Sequence, residues 1–244
     1  MGNRDRADRI LVELGHFDSR AAAQAAIAAG RVRVNGLPLA KPSARIGEGD
    51  RIEAEPAHPY VSRGGLKLAH ALDVFSVDPA GRHCLDIGAS TGGFSDVLLQ
   101  RGAASVLAVD VGRGQLHERI AADARVTSLE ATDARHLTGD MLTSPPSLIV
   151  CDASFISLQK LLGVPLSLAR EGADLVTLFK PQFEVGRAYV GKGGLVSDQA
   201  AVERAETAFC DWLADMKWAV SACTDSPIKG GDGNAERLIH AVKA

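Results

Sequence analysis

From Arg82 onward the chain alternates short apolar runs with amphipathic stretches, and that alternation predicts most of the fold. The runs at 85–87, 106–110, 126–129, 147–152 and 174–180 are short and nearly unbroken in apolar residues, the pattern of strands covered on both faces. Between them, helices are predicted over 95–101, 116–122 and 198–216, with one more carried by Leu158, Leu161, Leu162 and Leu166 at helical spacing. Segments 217–223 and 237–242 complete the count. Strands and helices in strict alternation specify an α/β fold with a parallel sheet, and such sheets bind ligands beyond the carboxyl ends of their strands.

The first sixty residues follow a different pattern. A helix over 6–14 carries Ile10, Leu11 and Leu14 and stops at Gly15; Asp18 or Ser19 caps a second over 20–29, which stops at Gly30. Val32 and Val34 then alternate with Arg31 and Arg33 ahead of an Asn35-Gly36 turn, which puts both arginines on one exposed face. A further strand over 51–54 follows the turn Gly47-Glu48-Gly49-Asp50. Two prolines in Glu55-Pro56-Ala57-His58-Pro59 stop helix and sheet alike. The expected organisation is therefore a small α+β domain over 1–55, a linker over 56–62, and a large α/β domain over 63–244.

Candidate chemistry gathers where the apolar runs end. Asp86, Asp110, Asp152 and Lys180 all stand at such ends, so the fold rule brings them to one edge of the sheet. After the first run comes Gly88-Ala89-Ser90-Thr91-Gly92-Gly93-Phe94, a glycine-rich loop whose backbone can crowd a ligand. Its spacing is not that of a dinucleotide fingerprint, which disfavours a dinucleotide-dependent oxidoreductase. Asp86 would repel phosphates and suits a ligand bearing an amine or a sulfonium. The cofactor expectation is S-adenosylmethionine, held by Asp86, Gly88, Ala89, Ser90, Gly92, Gly93 and Phe94. Asp110 would take the ribose diol, with Val111 beside it. Asp133 and Ala134 stand where such sheets hold the adenine amine, although Asp133 also reads as a turn former. Lys67, in a helix running to Phe75, is by itself expected to point at water.

Composition narrows the field. The chain has 244 residues, 46% of them hydrophobic, which is enough for one large core and a small one. Cys84, Cys151, Cys210 and Cys223 show neither a C-x-x-C pair nor metal spacing, so no metal and a reduced, cytoplasmic setting are expected. No run reaches the roughly 18 apolar residues of a membrane helix, and no secretory signal opens the chain. The net charge of −3 hides a local asymmetry. Residues 1–47 hold eight basic side chains (Arg4, Arg6, Arg9, Arg20, Arg31, Arg33, Lys41, Arg45) against four acids (Asp5, Asp8, Glu13, Asp18). That piece is suited to a polyanion.

The N-terminal pattern resembles the S-four-type RNA-binding module through Arg6-Ala7-Asp8, Asp18-Ser19-Arg20-Ala21 and the 30–36 segment, Gly30-Arg31-Val32-Arg33-Val34-Asn35-Gly36. The larger domain carries Ser62-Arg63-Gly64-Gly65-Leu66-Lys67-Leu68, the glycine loop, Asp110-Val111-Gly112-Arg113-Gly114, Asp152-Ala153-Ser154-Phe155, Lys180-Pro181-Gln182-Phe183-Glu184, Gly191-Lys192-Gly193-Gly194 and Gly233-Asn234-Ala235-Glu236. Through these stretches it resembles the TlyA family of ribosomal RNA 2'-O-ribose methyltransferases, whose catalytic domain is FtsJ-like and which also carries haemolysin-like names.

The resemblance implies a Rossmann-like class I methyltransferase domain with a catalytic tetrad Lys67, Asp152, Lys180 and Glu236. It also implies transfer of methyl to a cytidine 2'-hydroxyl in rRNA or ribosomal subunits, with Arg6, Arg20, Arg31, Arg33, Lys41 and Arg63 on the RNA. DNA lacks that hydroxyl and is excluded as acceptor. Two departures stand out: Asp133 where Asn is common, and Arg237 where an aromatic is common. The alternatives are a non-catalytic rRNA-binding assembly factor, which predicts a broken tetrad, and a membrane-active haemolysin, which needs an apolar or amphipathic span. Nothing in the sequence sets the oligomeric state, and a monomer is the simplest expectation.

Overall fold

The structure is a computed structural model that describes residues 4–47 and 49–244; Glu48 of the expected turn lies outside the described residues. The chain divides into two compact units, one running through Pro59 and the other spanning Tyr60–Ala244.

The first unit contains strand β1 (Asp5–Arg6), helices α1 (Ala7–Glu13) and α2 (Arg20–Ala28), and strands β2 (Val32–Val34), β3 (Leu37–Pro38), β4 (Arg45–Ile46) and β5 (Ile52–Ala54). Ser19 caps α2, its side chain accepting from Ala22 N at 3.2 Å. β2 lies between β3 and β5, and both pairings are antiparallel. The two-residue pairing of β1 with β4 is too short to leave a periodic signal in the sequence. Ala7, Ile10, Leu11, Ala23, Ile27, Val32 and Ile46 make this unit's core.

The second unit holds α3 (Gly64–Phe75), β6 (His83–Ile87), α4 (Gly93–Gln100), β7 (Ser105–Val109), α5 (Glu118–Ala121), β8 (Val126–Leu129), β9 (Leu148–Cys151), α6 (Leu158–Leu168), β10 (Asp174–Phe179), α7 (Pro181–Glu184), α8 (Gln199–Asp215), β11 (Trp218–Asp225) and β12 (Arg237–Lys243). Seven strands form one sheet in the order β11-β12-β10-β9-β6-β7-β8. The pairings from β10 to β8 are parallel, whereas β12 runs antiparallel to both of its neighbours. That reversal departs from an all-parallel expectation: β11 ends at the strand-end edge, the 226–236 loop turns the chain there as a hairpin, and β12 runs back.

Both faces of the sheet are covered. Leu85, Ile87, Ile149, Cys151, Leu175 and Phe179 pack on one side, while Cys84, Val150, Val176 and Leu178 pack on the other against α3 and α4. This alternation within each strand makes the runs continuously apolar. β7 lies on one side of β6 and β9 on the other, so the chain order reverses at β6, and the crevice at such a switch point is where these folds hold ligands.

Candidate active site

Two cavities open at the carboxyl ends of β6, β7, β9 and β10. One of about 510 Å³ carries apolar walls from Val109, Val111, Ala134, Ile156 and Leu161. The other, of about 320 Å³, is more polar and presents Arg63, Lys67, Lys180 and Lys229 together with Asp152. Gly88, Ser90, Asp152 and Ser154 line both, so the cavities adjoin along one wall. Gly88, at φ +78°, sits where a side chain would be strained and crowded, since a Cβ would stand 3.0 Å from Ala153 Cα.

The expected tetrad is brought together as two ion pairs. Lys67 lies on α3 with 8% exposure, and its Nζ stands 2.5 Å from Glu236 Oε2. It therefore does not point at water. Lys180, also 8% exposed, places Nζ 2.6 Å from Asp152 Oδ1 and donates to Ser154 Oγ at 2.9 Å. Lys67, Asp152 and Lys180 line the polar cavity, and Glu236 stands behind Lys67. Burial pushes the Glu236 carboxyl up, and the Lys67 ammonium partly offsets this. Gly230 leaves space for that carboxylate, because a Cβ there would come within 2.8 Å of Glu236 Oε1.

The expected cofactor residues divide by position. Ala89, Gly93 and Phe94 line the polar cavity; Asp110, Val111, Asp133 and Ala134 line the apolar one. Asp110 accepts from Ser90 N at 2.8 Å and Gly112 N at 2.7 Å, which fixes its carboxylate at the cavity wall. Asp133 is gripped by Arg135, with 2.5 Å between Arg135 Nη2 and Asp133 Oδ2, and is pushed down to about 2 mainly by that hydrogen bond.

Asp86 and Gly92 line neither cavity. Gly92 turns toward Leu116 and α5, where a Cβ would lie 2.8 Å from Leu116 Cδ1 and 3.2 Å from Ile120 Cγ1. Asp86 is the penultimate residue of β6 and shares the face of Cys84, so its side chain is directed beneath α4 with no exposure. Its Oδ2 accepts from Ser95 Oγ at 2.7 Å, while Oδ1 is buried without a hydrogen-bond partner among the described residues. Burial pushes its carboxyl up to about 7, and Asp152 and Asp110 add to the shift.

Ser154, Lys229 and Asn234 are additions that sequence patterning did not single out. Ser154 follows a strand-end acid by two positions, which was the available signal. Asn234, 4% exposed, donates to Gly194 O at 2.8 Å and accepts from Val196 N at 3.0 Å, tying the Gly191-Lys192-Gly193-Gly194 strap to the loop that carries Glu236. In the N-terminal unit Arg6 and Arg20 both bond Asp8, Arg31 pairs with Glu55 at 3.2 Å, Arg33 donates to Gly36 O, and Lys41 is exposed.

Comparison with known proteins agrees with this layout. Residues 60–243 match the FtsJ-like methyltransferase model and residues 5–52 the S4 domain. The chain is 43% identical over 241 residues to the 16S/23S rRNA (cytidine-2'-O)-methyltransferase TlyA of Mycobacterium tuberculosis, covering 98% of this chain and 90% of that protein. It is 40% identical to Hemolysin A of Brachyspira hyodysenteriae, covering 97% of this chain and 99% of that one. A solved structure described as a hemolysin of Streptococcus thermophilus superposes with a TM-score of 0.77 at 38% identity, covering 100% of this chain and 90% of that one. Among the described residues no helix is long and apolar enough to cross a membrane. The chain belongs to the TlyA family, an FtsJ-like methyltransferase domain preceded by an S4 domain.

Proposed function

We propose that the protein transfers a methyl group from S-adenosylmethionine to a cytidine 2'-hydroxyl of ribosomal RNA, in the cytoplasm where ribosomes assemble. The observation that carries the reading is the pair of lysine–carboxylate contacts, Lys67–Glu236 and Lys180–Asp152, at the wall where an apolar and a polar cavity adjoin. An adenosyl group suits the apolar cavity, with Asp110 for its ribose hydroxyls and Val111, Ala134 and Ile156 against its base. A cationic tail suits the shared wall, which Asp152 lines, and would favour the ionised form of Asp86 buried beneath α4. When bound, the donor supplies a methyl group already activated by its sulfonium.

The chain's own residues then have two tasks, alignment and relief of the hydroxyl proton. Good orientation alone supplies roughly 7–11 kcal/mol, against a factor of about 10²–10⁴ from general acid–base catalysis, so positioning dominates. Lys67, held by Glu236, fixes the acceptor ribose or its phosphate, with Arg63 and Lys229 on the same cavity. Lys180 takes the hydroxyl proton as general base. Asp152 and Ser154 aim its amine. The small unit docks on phosphates, which position the RNA without specifying its sequence.

The experiment is methyl transfer to isolated ribosomal subunits, with the modified nucleotides mapped by their 2'-O-methyl groups. Methylation confined to bases, or none on either subunit while S-adenosylmethionine binds, would overturn the reading.

A further inference from the structure

Arg6 and Arg20 do not act as independent surface cations. Asp8 in α1 is fully buried and accepts four side-chain hydrogen bonds: Arg6 Nε to Oδ1 at 3.0 Å, then Arg6 Nη2 at 3.0 Å, Arg20 Nη2 at 2.9 Å and Gln24 Nε2 at 2.7 Å, all three to Oδ2. The Arg6 hydrogen bond, with Gln24 and Arg20 adding to it, holds this carboxyl well below the usual carboxylate range, so it stays ionised wherever RNA is intact. The arginines reach solvent where the acid does not, with side-chain exposures of 46% and 57% against 0% for Asp8.

An arginine side chain carries about 2 kcal/mol of rotamer entropy, and fixing it before binding removes part of that cost from association. Two guanidiniums on one carboxylate leave a net charge of about +1, the complement of one phosphodiester. Among the described residues no protein acceptor takes Nη1 of either arginine, which leaves those donors to a ligand. The Lys41 loop comes to the same place through the backbone, because Asp8 N donates to Pro42 O at 3.1 Å.

We propose that Asp8 is a positioning residue, which fixes Arg6 and Arg20 as a preformed fork for a single RNA phosphate. The inference rests on the docking role given above to the N-terminal unit. It differs in sign from the simpler role of a buried acid, namely charge neutralisation. A carboxylate that merely competes with RNA for the arginines weakens binding, and its removal strengthens binding; a carboxylate that aims them does the reverse.

The test is Asp8→Asn in the full chain, read as the dissociation constant for ribosomal subunits at fixed salt, beside Arg6→Ala and Arg20→Ala. Positioning predicts that D8N weakens binding about tenfold, the factor that ~1.4 kcal/mol represents, although the variant loses a negative charge. The loss is read in KM for the subunits rather than in kcat. Unchanged or tighter binding by folded D8N overturns the inference. If neither arginine variant weakens binding, the docking role itself fails; if both do and D8N does not, only the positioning role fails. Should D8N unfold, the Arg6 Nε–H signal of the unmodified protein decides. Positioning requires the Asp8 bond to persist when RNA is added, and its opening overturns the proposal.

Discussion

Lys67 Nζ lies 2.5 Å from Glu236 Oε2, across 169 positions of sequence and almost out of solvent, with side-chain exposures of 10% and 2%. The pair joins α3 to the loop entering β12 at the polar cavity that Lys180 also lines. Removing one partner of such a pair leaves a buried charge uncompensated, at roughly 3–5 kcal/mol, whereas removing both leaves none. Glu236→Gln and Lys67→Met are each expected to destabilise the protein, with the double variant losing less than the sum. Urea unfolding of all four proteins measures this coupling. Strict additivity would mean that the two side chains are not partners in solution.

Lys180 is expected to differ from Lys67 in what a charge-conserving change does. Arginine preserves a cation against Asp152 but stays protonated at any working pH, so it cannot accept a proton. Lys180→Arg and Lys180→Ala should both lower single-turnover methyl transfer by about 10²–10⁴ while S-adenosylmethionine binding persists. Substantial activity in Lys180→Arg would reassign Lys180 from base to electrostatic support.

Asp86 makes a pH prediction. Burial raises its carboxyl from an ordinary 3.8 to about 7, so between those values the folded protein retains a proton that the unfolded chain has released. Folding stability must therefore fall as pH rises through that window and level off above about 7. Glu184, also raised by burial to about 7, contributes with the same sign. Asp86→Asn should flatten part of the decline in Tm between pH 5 and 8, and the double variant with Glu184→Gln more of it, as read by thermal melts across that range. A decline in the double variant as steep as in the unmodified protein would show that these acids are ionised at no penalty. A bound cation favours ionised Asp86, so S-adenosylmethionine affinity should rise with pH more steeply in the unmodified protein than in Asp86→Asn.

The residues also show what the sequence made legible. Asp110, Asp152 and Lys180 could be placed together because a parallel sheet sends its strand ends to one edge. Lys67 and Glu236 could not, since a lysine amid a helix's apolar positions and an acid after a glycine turn have no periodic relation; only family resemblance joined them. Asp86 was legible as a strand-end acid but not as a buried one, because a one-residue shift along a strand exchanges faces. The reversal of β12 left no mark in local pattern, since a covered strand is apolar in either direction.

Asn234 is where a loop without hydrophobic periodicity becomes a constraint on chemistry. Its amide spans Gly194 O at 2.8 Å and Val196 N at 3.0 Å, and two residues earlier Asp232 Oδ2 accepts from Gln182 Nε2 at 2.8 Å. The glycine strap and the turn after Lys180 are thus both tied to the loop that presents Glu236 to Lys67. Asn234→Ala leaves two backbone groups without partners, an effect of about 1–3 kcal/mol for each group that stays buried. Amide exchange at Val196 should accelerate, and kcat should fall about tenfold if ~1.4 kcal/mol of alignment is lost. Asn234→Asp keeps the acceptor for Val196 N but not the donor for Gly194 O, so its exchange rate at Val196 should lie between the other two. If kcat holds while exchange accelerates, the clasp stabilises the strap without setting Glu236, and alignment of the tetrad must come from α3 and β12 alone.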